Sequence, residues 1–75
     1  MKLMNIGFGN FINAEKVTAI LMPDSSPVKR LLKEAKENGT CIDATQGRQT
    51  KSILITEDDK IFLSYLTPEA FSERQ

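Results

Sequence analysis

Three features predict an α+β fold, a small and mostly antiparallel sheet with one central helix and a short C-terminal helix. Short β-branched apolar runs alternate with turn residues along the whole chain. One segment carries a helical apolar stripe between a capping signal and a glycine stop. Two apolar runs near the C-terminus flank an acidic turn, as a hairpin requires. With 75 residues, the chain is expected to form a single domain spanning residues 1–75.

Leu3, Met4 and Ile6 predict a first strand, and Gly7-Phe8-Gly9-Asn10 interrupts it. The two glycines permit positive φ, so a tight turn is expected there. A Gly-x-Gly pair also occurs in phosphate loops, but no third glycine and no following helix complete that fingerprint. Phe11-Ile12-Asn13-Ala14 reads as a second strand, and Val17 to Met22 as a buried third strand. Pro23-Asp24-Ser25-Ser26-Pro27 ends it and opens the helix, which is predicted from Pro27 to Asn38. Ser26 is placed as N-cap and Pro27 at the first helical position, where its missing N–H costs nothing. Val28, Leu31, Leu32 and Ala35 form one apolar stripe. Arg30/Glu34 and Lys33/Glu37 are spaced as helical ion pairs. Asn38-Gly39 supplies a left-handed stop. Strands are then expected over Thr40–Ala44, Lys51–Thr56 and Ile61–Leu66, the last two forming a hairpin around Glu57-Asp58-Asp59-Lys60. Thr67-Pro68 opens a short last helix, with Glu69 and Glu73 suited to it and Phe71 as its anchor.

A chain this short buries only roughly 60% of its unfolded surface. Cys41 is the one cysteine, so an internal disulfide is excluded, and without histidine there is no zinc-like cluster. Self-association is the remaining support. No signal peptide or membrane-length apolar run is visible, and a lone cysteine fits a reducing cytoplasm. The formal net charge is zero, which by itself speaks against a polyanion partner. The charges are nonetheless polarised. Residues 29–56 hold six cations and three anions, whereas residues 57–75 hold two cations and five anions.

Catalysis is not expected. Cys41 has no histidine to activate it and reads as a small packed hydrophobe. Asp58 and Asp59 read as turn acids, and Asp43 as an acceptor for nearby backbone N–H groups. No cofactor, metal or small-molecule substrate is indicated. The informative stretch is Ala44-Thr45-Gln46-Gly47-Arg48-Gln49-Thr50-Lys51, a polar loop between apolar runs. On pattern alone it is an ordinary hairpin loop. Gly47 lets its backbone bend sharply. Arg48 offers a planar donor fork for phosphate or guanine, Gln49 both donates and accepts, and Lys51 adds a point charge. Tyr65 and the four phenylalanines are spaced for core burial rather than for base stacking.

At this point the chain resembles the RemA family, small bacterial regulators of extracellular-matrix genes. Asn5-Ile6-Gly7-Phe8-Gly9-Asn10 is similar to the family's opening signature, Ser26-Pro27-Val28-Lys29-Arg30 to its helix start, and Ile42-Asp43-Ala44-Thr45 with Gly47-Arg48 and Thr50 to its loop signature. Pro68-Glu69 matches its late proline. The resemblance implies a non-enzymatic transcriptional regulator that binds double-stranded DNA as a ring-like homo-oligomer, presenting many copies of the loop. It nominates Arg48, Gln49 and Lys51 for DNA contact, with Lys16, Lys29 and Arg30 as further cations. Gly47, Asp43 and Pro27 are expected to set loop and helix geometry. Family members usually carry two adjacent arginines in the loop, and Gln49 stands in place of the second. Lys16 stands where an arginine is common. The alternative is a structural or protein-interaction module without nucleic-acid binding, suggested by the zero net charge and the lost arginine.

Overall fold

A computed structural model describes residues 1–72 of the chain. Its elements are β1 (Leu3–Gly7), β2 (Asn10–Asn13), a single 3-10 turn (Ala14–Lys16), β3 (Val17–Leu21), α1 (Ser26–Asn38), β4 (Cys41–Asp43), β5 (Ser52–Thr56), β6 (Ile61–Ser64) and α2 (Pro68–Ser72). The α+β content, the central helix and the short C-terminal helix are as the sequence predicts. Glu73, expected in the last helix, lies outside the described residues.

The strands form two sheets rather than one. β1 and β2 make an antiparallel hairpin, and the other four are ordered β3-β5-β6-β4. β5 is antiparallel to both β3 and β6, while β4 runs parallel to β6. The polar loop is therefore not a hairpin connection. It leaves edge strand β4, passes the end of β6 and enters β5. A period-2 pattern could not reveal this, because short apolar runs do not state their partner.

Alternation along β5 and β6 divides the core between the two faces of the larger sheet. Ile53, Ile61 and Leu63 point to one side and pack with Ala35, Val28, Leu31 and Leu32, the stripe of α1. Leu54 points to the other side, where it meets Ile6, Ala44 and Phe71, with Met4, Ile12 and Leu66 around them. The molecule thus has three layers: α1, the four-stranded sheet, and a layer formed by the β1–β2 hairpin with α2. Phe71 is 1% exposed and anchors α2, as expected.

Polar groups on the hairpin side are matched. Ser64 Oγ donates to the Ile6 carbonyl at 2.7 Å, and Ser52 Oγ donates to the Leu66 carbonyl at 2.8 Å. These two buried hydroxyls sit on paired positions of β5 and β6. They tie the β1 backbone and the segment after β6 to the sheet, which fixes the site described next.

Several boundaries move. The 3-10 turn takes Ala14 from the second strand because the Asn13 side chain accepts from Glu15 N–H at 3.0 Å. The N-cap of α1 is Ser25, not Ser26. The Ser25 hydroxyl accepts from Val28 N–H, and Ser26 is already helical. Pro27 still loses no bond, since the N–H groups of the whole first turn lack helical partners. Gly39, at φ 75°, closes the helix as predicted. Among the described residues the ion pairs are Lys16–Glu57 and Lys60–Asp58, so the Arg30/Glu34 and Lys33/Glu37 pairs are not made. Exposed pairs of this kind are worth only about 0–1 kcal/mol, so their absence costs the helix little.

Candidate functional site

The polar loop starts from an anchor between exposed Asp43 and buried Thr45. Asp43 Oδ1 accepts from Thr45 N–H at 2.8 Å and from Thr45 Oγ at 2.6 Å. Thr45 is 2% exposed, so this carboxylate satisfies a threonine that water does not reach. The Thr45 hydroxyl, then its N–H, hold the Asp43 carboxyl below its ordinary range. Asp43 thus ties the start of the loop to Thr45. Ala44 N–H donates to the Leu63 carbonyl at 3.0 Å and Lys51 N–H to the Ser64 carbonyl at 2.8 Å, so both loop ends are pinned to β6.

Between those ends the chain reverses. Gln46 and Gly47 have φ of 51° and 84°, and Arg48 N–H donates to the Thr45 carbonyl at 3.1 Å. Two successive left-handed residues turn Arg48 back over the end of the sheet. Gly47 supplies one of them without steric cost. Arg48, Gln49, Lys51 and Tyr65 line one open hollow of about 320 Å³.

The aromatic neighbours of Arg48 were not anticipated. Its guanidinium carbon lies 5.6 Å from the centroid of Tyr65 and 5.9 Å from that of Phe8. The two rings are 4.8 Å apart and inclined by 38°. Phe8 is the tip of the β1–β2 hairpin. Asn5 Oδ1 accepts from Gly7 N–H at 2.8 Å, and Asn10 Nδ2 donates to the Gly7 carbonyl at 3.0 Å. Gly7 must be glycine for two reasons. Its φ is 111°, and a Cβ there would lie 2.5 Å from Tyr65 Cε1. The expectation that the aromatic residues serve core burial holds for Phe71 but not for Phe8 or Phe11, which are exposed.

The family described as RemA-like, extracellular matrix regulatory protein A-like, matches residues 3–74. The chain belongs to the RemA-like family. A protein of Acetivibrio thermocellus is 49% identical over 74 residues, which cover 99% of this chain and 80% of the relative. One of Caldicellulosiruptor saccharolyticus is 49% identical, covering 99% of this chain and 73% of its own length. One of Thermoanaerobacter is 50% identical, covering 99% and 77%. All three carry names that describe candidate regulatory proteins. This chain is accordingly a member of a family of regulators.

The RemA-like signatures quoted above acquire physical roles here. The Asn5-to-Asn10 stretch builds the hairpin tip that carries Phe8. The Ile42-to-Thr50 stretch builds the Asp43–Thr45 anchor and the left-handed turn. Of the predicted site residues, the structure groups Arg48, Gln49 and Lys51. Lys16 is elsewhere. It ends the 3-10 turn at the Thr56 end of β5, opposite the loop, and its Nζ pairs with Glu57 Oε1 at 2.7 Å. That contact raises the Lys16 pKa. Lys29 and Arg30 lie near the start of α1, in the layer on the other face of the sheet. Lys29 borders a separate hollow with Leu32, Lys33, Lys36 and Glu37. Pro27 sits in the first turn of α1. Sequence reasoning missed Phe8 and Tyr65. The available signal was a bulky aromatic between two glycines at a turn, where a polar residue is usual. Among the described residues no helix is long and apolar enough to cross a membrane.

Proposed function

We propose that this RemA-like protein is a cytoplasmic transcriptional regulator, not an enzyme, which binds double-stranded DNA as a ring-like homo-oligomer and acts on genes of the biofilm-matrix kind. The observation that carries this reading is the open hollow at the loop. Arg48, Gln49 and Lys51 border it together, and among the described residues neither cation pairs with a carboxylate. Unpaired donors grouped on a rigid, sheet-anchored loop suit phosphate and base edges. One loop brings only two cations, whereas tight salt-dependent binding takes roughly six to ten phosphate contacts. Copies must therefore act together. Exposed Leu3, Phe11, Met22 and Ile42 offer apolar surface for self-association, and Ile42 lies on edge strand β4.

Those same exposed residues favour the second reading, a protein-interaction module without DNA. A labelled duplex titrated across a salt series, with the mass followed by light scattering, separates the two. Salt-sensitive binding by an oligomer, weakened by Arg48→Ala at unchanged mass, supports the DNA reading. A strict monomer, or binding indifferent to Arg48→Ala, overturns it.

A further inference from the structure

We propose that Phe8 and Tyr65 form an aromatic seat for the Arg48 guanidinium, so that the hairpin tip is part of the binding site and position 48 requires arginine rather than any cation. The seat presents a planar donor fork to a planar pair of acceptors, either two phosphate oxygens or the O6/N7 edge of guanine. This deepens the DNA reading and rests on it.

The three groups form a closed triangle, with ring centroids 4.8 Å apart and the guanidinium carbon 5.6 and 5.9 Å from them. A guanidinium over aromatic faces is held by the ring quadrupoles while its in-plane N–H groups stay available. An ammonium has no plane to stack and would be held less well.

Each corner of the triangle is held by its own backbone segment. Tyr65 follows Ser64, whose hydroxyl is bonded to the Ile6 carbonyl and accepts from Leu66 N–H at 3.1 Å. Arg48 is aimed by the left-handed Gln46-Gly47 turn. Phe8 is carried by a turn whose first glycine leaves room for the Tyr65 ring. Phe8 itself is 42% exposed with φ of 55°, and it belongs to neither core cluster. A bulky L-residue in that region is disfavoured, and core packing does not account for it. Contact with Tyr65 and Arg48 does. With Gln49 beside it instead of a second arginine, recognition concentrates on one guanidinium, and its fixed orientation removes part of the entropy cost of binding.

Phe8→Asn tests the seat, because asparagine accepts the left-handed conformation while removing the ring. In anisotropy titrations of a labelled duplex, the variant should bind about two- to fivefold more weakly per engaged loop. The slope of log affinity against log salt should stay unchanged, since no phosphate-neutralising charge is lost. Arg48→Lys should also weaken wild type at constant slope, but should cost less in the Phe8→Asn background, as coupled residues do. Unchanged affinity of Phe8→Asn, or strictly additive effects, overturns the proposal. A second readout needs no DNA. Proton NMR of the free protein should show the Arg48 δ-methylene shifted upfield by ring currents, and Phe8→Asn should reduce that shift. Absence of the shift in wild type overturns the seat whatever the DNA result. Presence of the shift without salt-sensitive duplex binding leaves the geometry standing and overturns both the DNA reading and the role assigned to the seat.

Discussion

At the scale of single residues, the loop depends on Asp43 more than on its cations. Its carboxylate is the partner of both the hydroxyl and the N–H of Thr45, a residue 2% exposed. Asp43→Ala removes both bonds from an exposed carboxylate, which costs about 0.5–1.5 kcal/mol. Urea denaturation at neutral pH should show that loss. The carboxylate is held below its ordinary value of 3.8, first by the Thr45 hydroxyl, then by the Thr45 N–H. A depressed carboxylate contributes its stability above the unfolded-state value and loses it as pH falls through the lower folded-state value. The difference between wild type and Asp43→Ala should therefore be constant above about pH 5 and shrink below the ordinary value of 3.8. A difference that persists unchanged at the most acidic pH at which the protein folds would show that the carboxylate charge is irrelevant. This part of the site was legible in sequence, because Asp43 and Thr45 are two positions apart and the chemistry is local. The Phe8–Tyr65 contact was not, because it exists only once the hairpin docks on β6.

At the scale of elements, the strong local signals located α1, β5 and β6, whereas pairing had to come from the structure. The α1 stripe, its proline start and its glycine stop are written within one segment, so only the cap shifted by one residue. The sequence of β4 says extended chain and nothing about direction, so its parallel pairing with β6 and the split into two sheets stayed hidden. That pairing matters to the site, since it is what carries the polar loop across the end of the sheet. The layer that supports the hairpin depends on α2, a five-residue helix with one buried anchor, Phe71. Phe71 packs with Ile6, Leu54 and Ala44, and Ala44 opens the polar loop. Phe71→Ala should cost about 3–5 kcal/mol. Against a total of order 5–15 kcal/mol for a native domain, that is a large share. Thermal or urea melts should place the variant near the edge of folding at 25 °C, and addition of excess duplex should raise its midpoint if the DNA reading holds. A variant as stable as wild type would mean that α2 is not a structural support for the hairpin layer.

At the scale of the whole molecule, the neutral total charge is compatible with a DNA partner because the cations are segregated rather than abundant. Arg48 and Lys51 face one hollow, while Lys16 is occupied by Glu57 at the far end of β5. On the proposed DNA reading, a single copy supplies a site too small for tight binding, and the number of loops acting together becomes the deciding quantity. Salt dependence counts them. Each phosphate contact contributes about 0.9 to the slope of log affinity against log salt on duplex DNA. Lys51→Ala removes one charge from every engaged loop, so the slope should fall by about 0.9 times the number of loops that touch DNA at once. Light scattering on the same variant should return the wild-type mass, which separates a lost contact from a broken assembly. A fall of several units at constant mass is the expected result for a ring that lays repeated loops on the duplex. A fall close to 0.9 would mean that one loop engages at a time, and the multivalent mechanism would have to be given up even if DNA binding survived.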